Sequence, residues 1–168
     1  MLEIGQMHVL GEVAIAILLG GFIGLERECA DKPAGLRTHM LVAGTSALLV
    51  NLNGVLVGAF NVSANVNITA DPVRIVQAIV MGIGFLGAGT IIQRRSSERI
   101  EGLTTGASLL LAASLGVCVA AGQLVLAAGV TALALCVLLL LGLLEKWLAR
   151  RRREPRQCGE STAGHGEG

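Results

Sequence analysis

The sequence predicts an all-α fold: a polytopic transmembrane bundle of five spans, with its N-terminus outside and its C-terminus cytoplasmic. Three observations predict it. Residues 102–144 run 43 positions without an Asp, Glu, Lys or Arg, and residues 38–70 form a second charge-free run. One apolar stretch of roughly 20 residues spans a bilayer, so the longer run has room for two helices and a turn. The composition of the 168 residues agrees, with 53% hydrophobic and only 15% charged. Backbone groups in lipid must be hydrogen-bonded within the segment, which makes helices the default; no ten-residue alternating pattern argues for a barrel.

The elements follow in order. The first span covers about residues 8–25, with Glu12 its only charge. The preceding MLEIGQMHVL has no Lys or Arg, as a signal peptide would, so this helix is expected to be retained. The second span covers about 39–59, and a polar loop, about 60–72, follows it. Two sequons in that loop, at Asn61 and Asn67, are best read as part of an Asn/Ser-rich loop. The third span, about 73–92, opens with Asp71 as N-cap and Pro72 at the first helical position. The fourth runs about 103–120, and the fifth, the most apolar, about 124–144. Residues 1–148 are thus expected to form the transmembrane domain. Residues 149–168 form a basic juxtamembrane segment and a disordered cytoplasmic tail. The arginines 150–153 read as a stop-transfer anchor at anionic lipid.

Lysine and arginine orient the chain. Five crossings place Arg27, Lys32, Arg37, Arg94, Arg95, Arg99, Lys146, Arg150–Arg153 and Arg156 on one side, and only Arg74 on the other. The positive-inside rule makes the basic side cytoplasmic.

Several function classes are disfavoured. The net charge of +1 is segregated by position and gives no nucleic-acid footprint. Cys29, Cys118, Cys136 and Cys158 make no CxxC pair, so neither a disulfide framework nor a metal cluster is expected. The segment GIGFLGAG matches GxGxxG at Gly82, Gly84 and Gly87, with Glu101 downstream. A dinucleotide site needs a strand before that motif and a helix after it, and here it lies inside an apolar span. No cofactor is implied. There is no HExxH and no pair of aspartates inside spans. Ser108 follows Gly106-Ala107, but His39, the nearest histidine, opens a different span. No catalytic set is therefore expected.

Glycine patterns predict packing. Ala16, Gly20 and Gly24 repeat every four residues, as do Gly54 and Gly58, and Gly102 and Gly106. Such stripes let helices approach closely, within the chain or in a homodimer. Gly82, Gly84, Gly87 and Gly89 put bare backbone on several faces of the third helix. That suits a central helix touched by several neighbours.

Ionisable residues near lipid are the functional candidates, because burying one costs several kcal/mol. Asp71 and Arg74 sit one turn apart at the outer end of the third helix. Arg74 there opposes the helix dipole and must snorkel, pair with Asp71 or bind an anion. Glu26, Arg27 and Glu28 end the first helix, and Arg37 and His39 open the second. A Glu26/Glu28–Arg27/Arg37 network is expected. Thr104 and Thr105 open the fourth helix and are expected to cap it or donate to a carboxylate.

Four segments together, GGFIGLERE (20–28), AGLRTHMLV (34–42), DPVRIVQAIVMGIGFLGAGTII (71–92) and GLTTGASLLLAASLGVCVAAG (102–122), resemble the signature of the MgtC/SapB membrane proteins. The resemblance covers about residues 20–122. It implies a five-helix bacterial inner-membrane protein. For some members it also implies a link to magnesium limitation, acid stress or survival inside host cells. One member is understood as a regulator of the proton-translocating ATP synthase. That member has Asn where this chain has Thr104, and a soluble ACT-like domain after the membrane region. With about 24 residues after the fifth span, this chain looks like the short SapB-type members. The function expected is a non-enzymatic one in magnesium or acid-stress homeostasis, exerted through partner helices. The alternative is a small magnesium or proton transporter or channel.

Overall fold

A computed structural model describes residues 2–64, 71–92 and 102–153, with side chains for 5–59, 71–91 and 102–144. The described residues form five helices: α1 (Leu2–Cys29), α2 (Leu36–Ala64), α3 (Pro72–Ile92), α4 (Leu103–Ala120) and α5 (Leu124–Arg153). All five are long and apolar enough to cross a membrane. The helices α1, α2 and α5 outrun the spans expected from the sequence, and α5 stays helical through the arginines 150–153. The basic residues Arg94, Arg95 and Arg99, Glu101 and the tail beyond Arg153 lie outside the described residues, as does most of the polar loop at 65–70.

Local chemistry closes several of the helix ends. Asp71 Oδ1 accepts the Val73 N–H at 3.0 Å, so Asp71 caps α3. At the end of α4, Gly122 (φ 73°) and Gln123 return N–H groups to Val119 and Cys118, a Schellman closure. The end of α1 uses the same closure with Asp31 at the left-handed position (φ 56°): Asp31 N–H reaches Glu28 and Lys32 N–H reaches Arg27. The fourth helix starts differently from expectation. Its N-cap is Gly102 (φ 112°), without a side-chain cap bond, so neither Thr104 nor Thr105 caps it. Gly102 is needed there because a Cβ would lie 3.0 Å from the Thr90 carbonyl oxygen.

Small residues let α1, α2 and α4 close into the core. A Cβ on Gly20 would lie 2.6 Å from the His39 carbonyl oxygen and 2.7 Å from the Ala43 Cβ. One on Gly24 would lie 2.8 Å from the Leu36 Cα. Ala16, Ala43 and Ala47 are fully buried in the same seam. The small face of α4, with Ala112, Ala113 and Gly116, fills the groove between α1 and α2.

The central helix is α4, which touches all four others, and not α3. The expectation for α3 is corrected here. Among its glycines only Gly87 meets another helix, where its Cβ would lie 3.3 Å from the Gly106 Cα. Among the described residues, a Cβ added at Gly82, Gly84 or Gly89 would meet nothing within 4 Å, and the same holds for Gly54 and Gly58 of α2. The physical reason is that glycine density permits close approach without choosing a partner. The wall of the core is filled by the alanines and Gly116 of α4, which leaves α3 at the edge.

Candidate functional site

Two polar clusters bracket the α1–α2 seam, one at each end. At the end where α1 terminates, Arg27 is 5% exposed. Its guanidinium engages Glu26 with both prongs, Nη2 to Oε1 at 2.8 Å and Nε to Oε2. A bidentate fork of this kind holds a carboxylate more firmly than a lysine would. Glu28 does not join that pair. Its Oε2 accepts the Leu36 N–H at 2.8 Å, so a carboxylate from α1 caps the N-terminus of α2, where the helix dipole favours it. Arg37 is exposed and forms no ion pair among the described residues. The expected four-residue network is therefore two separate contacts, because Glu28 is engaged by the Leu36 N–H and Arg37 is exposed.

The deepest polar group at this end is His39, fully buried. Its Nδ1 lies 2.9 Å from the Gly35 carbonyl oxygen, which only accepts, so Nδ1 carries the proton. Its Nε2 lies 3.0 Å from Ser108 Oγ on α4, and Ser108 Oγ lies 2.9 Å from the Thr105 carbonyl oxygen. The serine hydroxyl thus has two acceptors in reach, the imidazole and its own helix. One helical turn earlier, Thr105 Oγ1 is buried without a hydrogen-bond partner among the described residues. Thr104 is exposed.

A serine hydroxyl on a histidine nitrogen is the geometry of a nucleophile and its base. Here it joins two helices instead. Ser108 is 4% exposed, His39 is fully buried, and neither lines a cavity found among the described residues. Ser108→Ala should accordingly reduce stability by about 1–2 kcal/mol, the cost of leaving the buried His39 Nε2 without its partner. Unfolding of the detergent-solubilised variant by stepwise addition of a denaturing detergent measures it.

At the opposite end, Glu12 sits inside the span. Asn51 of α2 donates to its Oε2 at 2.8 Å and to the Ala47 carbonyl oxygen at 3.1 Å, and His8 Nδ1 lies 3.3 Å from Oε1. Glu12 stands out in the sequence, whereas nothing there pairs Asn51, His39 and Ser108 with their partners. A polar residue inside a charge-free run was the signal available for each. Asp71 and Arg74 lie apart from both clusters. Both are exposed, with Arg74 Nε 3.6 Å from Asp71 Oδ2. Such an exposed pair contributes little. Among the described residues no three His, Cys, Asp or Glu side chains gather as metal ligands.

Comparison with known proteins places this arrangement. The MgtC family model matches residues 13–147. Protein SapB of Bacillus subtilis is 41% identical over 116 residues, 68% of this chain and 48% of that protein. The putative magnesium transporter YhiD of Escherichia coli is 38% identical over 109 residues, 65% of this chain and 49% of its own. Protein MgtC of Salmonella typhimurium is 39% identical over 126 residues, 75% and 49% respectively. The chain thus spans about half the length of these relatives. No solved structure matches it. The matched region takes in the first span from residue 13 on, the other four spans whole, and both polar clusters apart from His8 and Glu12, and the chain belongs to the MgtC family of multi-pass bacterial inner-membrane proteins.

Proposed function

We propose that this protein acts in magnesium or acid-stress homeostasis without catalysis, by binding the helices of a membrane partner. By family resemblance that partner is the proton-translocating ATP synthase. The observation that carries the reading is the uncovered face of α3. Met81 is 77% exposed and Phe85 81%, beside Gly82, Gly84 and Gly89, where an added Cβ would meet nothing within 4 Å among the described residues. A glycine face flanked by large apolar side chains accepts a second helix at close range. The polar clusters tie α1, α2 and α4 into a scaffold that holds α3 at the edge. In this reading the Arg27 end is cytoplasmic, following the positive-inside rule.

The test measures growth in low magnesium and at acid pH beside the amount of inserted protein. Arg37→Ala and Asp71→Ala alter exposed side chains, the second at a cost of about 1 kcal/mol for the lost α3 cap, so most of the protein should persist while the growth benefit is lost. Glu26→Ala should also abolish it, and its protein level is followed because Arg27 loses its partner. Full benefit in all three variants removes these residues from the site. ATP-driven proton pumping in inverted vesicles, with and without the protein, tests the partner. A homodimer through α3 would instead appear as cross-linking between copies at Phe85→Cys.

A second reading, a small cation transporter, is favoured by Glu12, whose side chain is only 14% exposed inside a span. Intramembrane acids of this kind mark ion pathways. YhiD carries the name of a putative magnesium transporter. Magnesium or proton flux in proteoliposomes of the purified protein distinguishes the two.

A further inference from the structure

A cavity of about 450 Å³ opens between the end of α1, the start of α4 and the last apolar turns of α5. Its two sides differ in kind. One is apolar and belongs to α5, with Leu139, Leu141 and Leu143 around Gly142. The other is charged, with Glu26, Arg27, Asp31, Lys32 and Thr104. An occupant must therefore be an amphiphile, with a tail along the leucines and a polar head against α1.

The charges specify the head. Glu26 and Arg27 satisfy each other. That leaves Asp31 and Lys32, which are exposed and form no ion pair among the described residues. Among the described residues, the uncommitted rim is thus one anion beside one cation. Thr104 adds a hydroxyl in the first turn of α4, whose free N–H groups favour a phosphate. Asp31 is also held in a left-handed conformation where glycine is the ordinary choice.

We propose that this cavity binds a zwitterionic phospholipid of the phosphatidylethanolamine type, the phosphate on Lys32 and the start of α4, and the primary ammonium donating to the Asp31 carboxylate. The acyl chains run along α5. The site is independent of the partner proposed above.

The full chain, purified in detergent and stripped of lipid, is mixed with phosphatidylethanolamine, phosphatidylcholine or phosphatidylglycerol of identical acyl chains. Retained lipid is counted by native mass spectrometry. A quaternary ammonium cannot donate a hydrogen bond, and phosphatidylglycerol has no ammonium. Phosphatidylethanolamine should be retained about tenfold better than either, the effect of one charge-assisted hydrogen bond. Asp31→Gly suits the left-handed position, so its thermal midpoint should stay level or rise while the preference disappears. Lys32→Gln should weaken retention of phosphatidylethanolamine and phosphatidylglycerol alike. Equal retention of the three lipids, stronger retention of phosphatidylglycerol, or a preference that survives in Asp31→Gly would overturn the assignment.

Discussion

Gly116→Ala should cost about 3 kcal/mol or more and prevent the bundle from closing. A Cβ at Gly116 would fall on the carbonyl oxygen of Ala43, and it would also lie 2.9 Å from the Ser46 Cβ and 3.0 Å from the Ala47 amide nitrogen. Two of those three neighbours are backbone, so no rotamer change relieves the contact. The helices α2 and α4 must separate instead, and with them the buried row of Ala112, Ala113 and Leu115 loses its packing. The variant should aggregate on extraction, visible as loss of the monodisperse peak in size-exclusion chromatography. Alanine at Gly82, Gly84 or Gly89, where nothing lies within 4 Å, is the control. Those variants should keep the peak, since alanine also favours the helix by up to about 1 kcal/mol. A stable Gly116→Ala protein would mean that α4 does not occupy the α1–α2 groove.

Arg27→Ala should destabilise by about 3 kcal/mol, through the partner it leaves behind more than through the arginine itself. Glu26 is only partly accessible and accepts both prongs of the Arg27 guanidinium. Without them its largely buried carboxylate loses both of its charge-assisted hydrogen bonds. Glu26→Gln added to Arg27→Ala removes the orphaned charge and should recover part of the loss. Arg27→Lys should fall between, since an ammonium reaches one oxygen well and lacks the fork. Unfolding midpoints of these variants and the parent in one detergent, with Glu26→Gln alone to complete the cycle, measure it. If the single and double variants are equally unstable, Arg27 contributes by packing alone.

The membrane class and the number of spans were legible because the bilayer is a uniform solvent. It demands apolar length and internal hydrogen bonds, and both are properties of one segment at a time. The cap at Asp71-Pro72 was legible for the same reason, since a cap satisfies its own helix end. Gly20 and Gly24 were singled out by their four-residue spacing, and the structure sets both against α2.

Reading stopped where two segments had to be matched. Gly87 and Gly84 look alike in the sequence, yet only Gly87 meets a neighbour, Gly106, because α3 crosses α4 at that level. Thr104 and Thr105 look like a cap, but a left-handed Gly102 starts α4 and turns Thr105 into the interior. His39 and Ser108 are 69 positions apart, and nothing local pairs them. The sequence by itself determined which segments enter the membrane and where the costly polar groups lie. Only the tertiary structure decided which polar groups meet, because in lipid the hydrophobic effect does not choose neighbours. Fit between small faces does, and that fit is a property of two helices together.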